Sequence, residues 1–338
     1  MAWLSDYRYR KKITITGSQG AGTGYQVLLN VGESSGSVGA DFHLENHFFD
    51  FPNDIRFTSS DGITEYSYWI EEVTGTAPNR TAKIWVKVDE SLDTDATVCV
   101  YYYKENATGA SNGDDTFLLF DDFEGTILDT EKWNIVVNEG TLEVTNGYLR
   151  MYGPKRGWYI LRKIEIASNI LLNGSIALEF KHKILQSNYY FGSFYYGDST
   201  YSSIGYALYS GYESALFTGN SKYPPRCGGS TSSTDGDVIT TPAYNTWFRE
   251  SFRIPGGYLS RVINNNLSEV SSRYTGVNTG FVGIYAAAPY TVSMESHTDW
   301  IAVRKYIEPE PTFFGASSEE LPSLSTKAYL ACKSECNL

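Results

Sequence analysis

FLLFDDFEGTILDTEKW, residues 117–133, and DWIAVRKYIEPEP, residues 299–311, decide the fold between them. The first opens a β-rich module and the second closes it. In the closing run Trp300, Ala302 and Arg304 share one face of an alternating strand. Between the two lie TLEVTNGYLRM, GWYILRKIEI, GSIALEFKHKIL, YYFGSFYYG, WFRESFRI, TGFVGIYAA and further alternating runs. They bring the module to about eleven strand candidates, enough for two packed antiparallel sheets.

The whole chain has the same character. Its 338 residues are 41% apolar and 20% charged, with 27 tyrosines and 31 glycines. That length accommodates two cores, and tyrosine with glycine favours half-buried strands and turns. The fold class is therefore all-β. A net charge of −12 argues against a nucleic-acid groove, which needs a cationic stripe. The densest basic run, Arg8–Lys12, is short. No run of 18 apolar residues occurs, so no membrane span is expected. MAWLSDYRYRKKITIT lacks the apolar core of a secretory signal. Two expectations follow, a trimmed signal or synthesis in the cytoplasm.

Residues 1–112 alternate with period two in KKITIT, YQVLLNV, YSYWIEEV, AKIWVKV and TVCVYYYK, separated by turn clusters, which is the pattern of a sandwich. FHLENHFFDFPN, residues 42–53, interrupts it as a helical turn or surface loop. NATGASNGDD, residues 106–115, is the joint. Three segments result: a sandwich over 1–112, a jelly roll over 113–308 and an extended tail over 309–338. Cys99 reads as a small buried hydrophobe. Cys332 and Cys336 lack the two further ligands that zinc needs.

Residues 3–105 resemble the DUF2341 family through WLSDYRYRKKITI, NDIRFTSSDGITEYSYWIEE, AKIWVKV and VYYYKENATG. The interruption before DIRF departs from that pattern. Residues 117–307 resemble concanavalin A-like (LamG-type) jelly rolls through FDDFEGTILDTEKW, NGYLRM and DWIAVRKYIEPEP. The resemblance implies two β-sandwiches in tandem, as in archaeal, bacterial and viral surface proteins, with a carbohydrate- or protein-binding role. It also implies a structural Ca²⁺ near the first and last strands. Asp121, Asp122, Glu124 and Asp299 supply the hard oxygen ligands, unless Asp121 and Asp122 simply form a turn and cap backbone amides.

Retaining glycosidases on this fold carry E-x-D-x-x-E on one strand, placing two carboxylates about 5 Å apart. No such spacing occurs. Glu179 stands alone in GSIALEFKHK; Glu295 and Asp299 are four apart, which keeps both on one face of a regular strand. His43 and His47 miss the zinc-protease pattern and read as part of a solvent-facing loop. His182 and His297 have no recognisable nucleophile partner, and no nucleophile elbow or P-loop exists. Aromatic surface is the strongest binding signal. Tyr189, Tyr190, Tyr195, Tyr196, Tyr201, Tyr206, Tyr209 and Tyr212 exceed what one strand pair can bury, and exposed rings stack on sugars or anchor proteins.

These readings predict no catalytic residue. They describe an oligomeric, non-enzymatic recognition protein on a virion surface (a tail, fibre or decoration component), bound to a host glycan, an envelope component or neighbouring subunits. The alternative is a secreted or cell-surface adhesin, and the third a polysaccharide-cleaving enzyme.

Overall fold

The computed structural model describes residues 2–36, 39–153, 161–186, 194–197, 205–208, 216–217, 245–254, 259–263, 266–271, 279–288 and 293–322. The chain forms two compact units. One is Met1–Thr116 together with Pro309–Leu338; the other is Phe117–Glu308.

The first unit contains β1 (Tyr9–Thr16), β2 (Tyr25–Gly32), β3 (Phe42–His43), β4 (Arg56–Thr58), β5 (Tyr68–Thr74), β6 (Thr81–Val88) and β7 (Ala96–Tyr102). Period-two alternation buries Ile13 and Ile15 of β1 and Val27, Leu29 and Val31 of β2. One sheet runs β3-β2-β6-β5. In the other, β1 pairs with β7, which pairs with β4. Cys99 is a buried free thiol, its pKa pushed up by burial.

FHLENHFFDFPN is neither a helical turn nor a solvent-facing loop. Phe42 and His43 add β3 alongside β2, and the chain reverses at Glu45 and Asn46, both with positive φ. Leu44 and Phe51 then return to the core. The His47 ring stacks 4.2 Å from Tyr9, and its Nδ1 lies 2.7 Å from Glu319. Three of the stretch's apolar side chains are thus core residues, which a loop in solvent cannot provide.

The second unit contains β8 (Leu119–Asp121), β9 (Trp133–Asn138), β10 (Thr141–Thr145), β11 (Tyr148–Gly153), β12 (Leu161–Ser168), β13 (Leu172–Asn173), β14 (Ile176–Gln186), β15 (Phe194–Gly197), β16 (Gly205–Leu208), β17 (Leu216–Phe217), β18 (Phe248–Ile254), β19 (Leu259–Ile263), β20 (Asn266–Ser271), β21 (Thr279–Ala288) and β22 (Met294–Lys305). An eight-stranded antiparallel sheet runs β10-β11-β22-β14-β18-β19-β20, with β8 also on β22. A second sheet runs β17-β16-β15-β21-β12-β9, with β13 on β21. Leu178 and Phe180 of the first sheet, with Ile301 and Val303, meet Ile164, Ile166, Val282 and Ile284 of the second in one core. This is a jelly-roll β-sandwich, as the sequence predicts. The opening motif acts as a staple. Trp133, 1% exposed, donates its indole N–H to Asp121 Oδ2 at 2.6 Å, while the Phe123 amide donates to Oδ1 at 2.9 Å.

The expected extended tail begins instead as a strand, β23 (Thr312–Ala316). It pairs antiparallel with β1, from Thr16↔Thr312 to Ile13↔Ala316. The outer edge of β1 otherwise exposes a row of unpaired amides and carbonyls, and TFFGA has the β-propensity to cover it. Glu320 then accepts from Arg10 Nε at 3.0 Å and Lys12 Nζ at 2.7 Å. Cys227, Cys332 and Cys336 lie outside the described residues.

Truncation after Glu308 removes this strand and leaves the buried Arg10 guanidinium without its carboxylate. The first unit is expected to lose about 3 kcal/mol or more, read in calorimetry as an earlier transition that separates from that of the second unit.

Candidate functional site

The geometry of the second unit is set where β14 and β22 pair, from Ile176↔Lys305 to Gln186↔Glu295. Up to Phe180 the even-numbered residues of β14 face the core and the odd ones the outer side of the sheet. At Lys181/His182 the register slips: the partner of Lys181 is Trp300 and that of His182 is Thr298. Asp299 is left over as a β-bulge. The even spacing of Glu295 and Asp299 therefore does not describe a regular strand.

Before the bulge, the outer face is closed. Glu179 is 1% exposed and accepts from Arg304 Nε and Ser251 Oγ, both at 2.9 Å. Arg304 Nη2 lies 2.8 Å from Oε1, and Arg249 Nη2 makes a charge contact 3.1 Å from Oε2. Burial alone raises a carboxyl pKa, but here Arg249 and Arg304 outweigh it and hold Glu179 below its ordinary value. A carboxylate fixed between two guanidiniums has neither a proton to give nor access to a substrate. On the core side of the same strands His182 and Glu250, both buried, form a second polar pair at 3.0 Å. Nothing in the sequence spacing announces it.

Beyond the bulge the outer face holds a different group. Arg150 on β11 donates from Nε to Glu295 Oε1 at 2.6 Å and from Nη1 to Glu143 Oε1 at 2.7 Å. Two carboxylates from β10 and β22 thus share one guanidinium. The hydrogen bond from Arg150 holds Glu295 below its ordinary pKa. His297 Nε2 lies 2.9 Å from the same Glu295 oxygen, and burial lowers its own pKa, so the imidazole is neutral and donates from Nε2. Its ring stacks 4.2 Å from Tyr148, and Trp247 stands 6.0 Å from Tyr148, edge to face. Lys183 Nζ lies 4.7 Å from the Trp247 centroid. Lys181 holds the bulged Asp299 at 2.7 Å.

The arrangement joins two features useful on a sugar: aromatic faces for its apolar CH surface and partly exposed carboxylates beside them. Glu295 was a sequence candidate; Glu143, Arg150, Tyr148 and Trp247 were not. A signal for two of them exists. Asn146 and Gly147 both have positive φ and form the tight turn that sets Glu143 opposite Arg150.

The other candidates fall elsewhere. Tyr189, Tyr190, Tyr201, Tyr209 and Tyr212 lie outside the described residues. Tyr195 and Tyr196 belong to the backbone of β15 and Tyr206 to that of β16, and their side chains lie outside the description. Asp121 is engaged by Trp133 and Phe123, and burial raises its pKa. Asp122 Oδ1 accepts from the Glu124 amide at 3.4 Å, while Asp299 pairs with Lys181. The turn-and-cap role is what these contacts describe. Among the described residues no group of three or more His, Cys, Asp or Glu side chains is arranged to hold a metal ion.

Comparison with known proteins adds three findings. The family described as Domain of unknown function (DUF2341) matches residues 51–136, so the match starts inside the first unit and runs past Thr116 into β9. No curated protein matches the chain. Solved structures similar to it include one described as "Prominent members of the human gut microbiota express endo-acting O-glycanases to initiate mucin breakdown", 13% identical with a TM-score of 0.43, covering 56% of this chain and 98% of that one. Another is the catalytic domain of an endo-1,3-beta-glucanase (laminarinase) from Thermotoga petrophila RKU-1, 10% identical with a TM-score of 0.42, covering 56% and 97%. A third is LamAcat from Zobellia galactanivorans, 13% identical with a TM-score of 0.42, covering 57% and 100%. At such identities the likeness is one of sandwich fold.

The expectation of a non-enzymatic protein, as virion component or as adhesin, is corrected here. Similar solved structures of this fold are described as glycan-cleaving enzymes. Glu143 and Glu295, from different strands, share one arginine, an arrangement that spacing along a single strand does not reveal.

Two outcomes follow. Glu179→Gln leaves the buried Arg304 and the partly buried Arg249 facing a neutral amide and is expected to destabilise the second unit by about 3–5 kcal/mol, measured by chemical denaturation. Acid acts in the same direction. The folded pKa of Glu295 lies below its unfolded value, so its stabilisation is present above that value and lost as pH falls through the folded one. His297, also depressed, begins to cost stability as pH falls below 6.5. His297→Phe keeps a ring on Tyr148 and should flatten the pH dependence of the unfolding temperature near 6.5 while leaving the carboxylate limb in place.

Proposed function

We propose that the second unit cleaves a glycan on the outer face of its eight-stranded sheet, beyond the Asp299 bulge. The observation that carries this reading is the pair Glu143 and Glu295 on one arginine, beside the stacked rings of Tyr148 and His297. The names of the fold's solved relatives point the same way in substrate class: β-glucans and mucin O-glycans.

Hydrolysis of a glycosidic bond passes through a transition state with positive charge at the anomeric carbon and needs a proton on the departing oxygen. Glu295, ionised beside Arg150, supplies the negative charge next to that carbon. Glu143, the more exposed of the two, keeps Oε1 on Arg150 and takes a proton from solvent on Oε2; it delivers that proton to the leaving oxygen and recovers one from the water that then adds to the anomeric carbon. Arg150 moves with neither step; it fixes both carboxylates relative to each other and to the ring wall. Tyr148 and Trp247 take the sugar's CH faces, and His297 orients Glu295 through its Nε2–H.

Release of reducing ends from β-1,3-glucan, β-1,3-1,4-glucan and mucin-type O-glycans tests the reading. Activity on one of these substrates is expected, and Glu295→Gln and Glu143→Gln should each lower turnover by about a hundredfold or more with the fold intact. No release from any substrate, or release by either variant equal to that of the wild type, overturns it.

A further inference from the structure

The first unit holds a cleft of about 530 Å³, within the range of small-molecule sites. Its walls come from the segment ahead of β1 and from the loop after β7. Leu4, Tyr7 and Ala107 give it an apolar lining, and Arg56, Lys104 and Glu65 bring charge to it.

Arg56 is the informative residue. Its Nη1 donates to the carbonyls of Asn53 at 3.0 Å and Ile55 at 2.6 Å and approaches the Tyr68 hydroxyl at 3.0 Å. Its Nη2 donates to the Thr108 carbonyl at 2.5 Å. A guanidinium has five N–H donors. Those on Nη1 are saturated and one on Nη2 is engaged, which leaves Nε–H and the second Nη2 proton. Nε–H and the Nη2 edge beside it make up the side-on face of a guanidinium, the face that fits a carboxylate. The nearest acid, Glu65, has Oε2 3.8 Å from Nε, beyond hydrogen-bond range, and its side chain is 53% exposed. The guanidinium is therefore held in place and charged, and its Nε–H makes an ion-pair contact with Glu65 but no hydrogen bond.

Lys104 supplies a second cation. Its ammonium lies 5.1 Å from the Tyr7 ring centroid and 3.7 Å from Asp6, a loose contact to a side chain that is 74% exposed. Tyr7 keeps its phenol proton, its pKa pushed up to about 12 by burial, so its hydroxyl adds no negative charge to the cleft.

We propose that this cleft binds a small carboxylate-bearing ligand, its carboxylate side-on to the Nε/Nη2 face of Arg56 and neutralised by Lys104, with its apolar part against Leu4 and Tyr7. The ligand's carboxylate takes the place toward which Glu65 leans. A sugar acid and the free C-terminus of a short peptide both carry this chemistry.

Isothermal titration of the full chain with D-glucuronate and, separately, with N-acetyl-dialanine distinguishes the two sources, with the amide of each as the neutral control. Saturable binding of at least one acid and none of its amide is expected. Lys104→Ala should weaken that binding about tenfold or more, and Glu65→Gln, which removes the competing carboxylate, should tighten it. Both positions are partly exposed, so both variants are expected to keep the wild-type unfolding temperature. The proposal is overturned if neither acid binds, if an amide binds as well as its acid, or if Lys104→Ala binds like wild type. The readout involves no turnover and stands or falls apart from the glycan reading of the second unit.

Discussion

One strand pair organises the second unit: β14 against β22. Through it Leu178 and Phe180 meet Val303 and Ile301 in the core, and Glu179 is carried to Arg304 on the opposite side. The same pairing seats Lys183 next to His297 beyond a one-residue slip. Side chains alternate along a strand, so that slip reassigns which residues face outward. Without it His297 and Glu295 would turn toward the core, and Ser296 and Thr298 would take their place outside.

The slip also divides one sheet face into two electrostatic regimes. On the Glu179 side, charges are buried and saturated with partners; Arg249, Arg304 and Ser251 converge on a single carboxylate. Such a cluster fixes register, because any other strand offset leaves a charge buried and alone. On the Glu295 side, carboxylates and cations are partly exposed, flanked by rings, and bound through a single arginine. Rigid support and reactive surface therefore sit side by side on continuous strands, the arrangement that holds a working group within a narrow range of positions.

Much of the architecture was legible in the chain. Alternation in KKITIT, YQVLLNV and GSIALEF gave strands and their inward faces, and FDDFEGTILDTEKW marked the start of the second sandwich through Asp121 and Trp133. The site was harder, for a physical reason. Glu143 and Glu295 belong to strands separated by most of the domain, and only the sheet order β10-β11-β22 makes them neighbours. A search for carboxylates along one strand passes over that pairing. Bulges hide in the same way, since nothing in SHTDWIAV says which residue the ladder skips. His47 and FHLENHFFDFPN misled because polar residues among aromatics look exposed until Tyr9 and Glu319 are known to lie beside them.

The pairing of β23 with β1 has a consequence for biosynthesis. The first unit takes its outermost strand from residues that follow the whole second unit, so the second is topologically an insertion within the first. During translation the ribosome delivers a complete second unit while β1 still waits for its neighbour, and Arg10 for Glu320. The first unit matures last although its sequence emerges first, and in that interval an open strand edge faces every other nascent chain nearby. A nick after Glu308 would leave β23 held by its ladder to β1, by ion pairs and by the contact of Phe313 with Phe42.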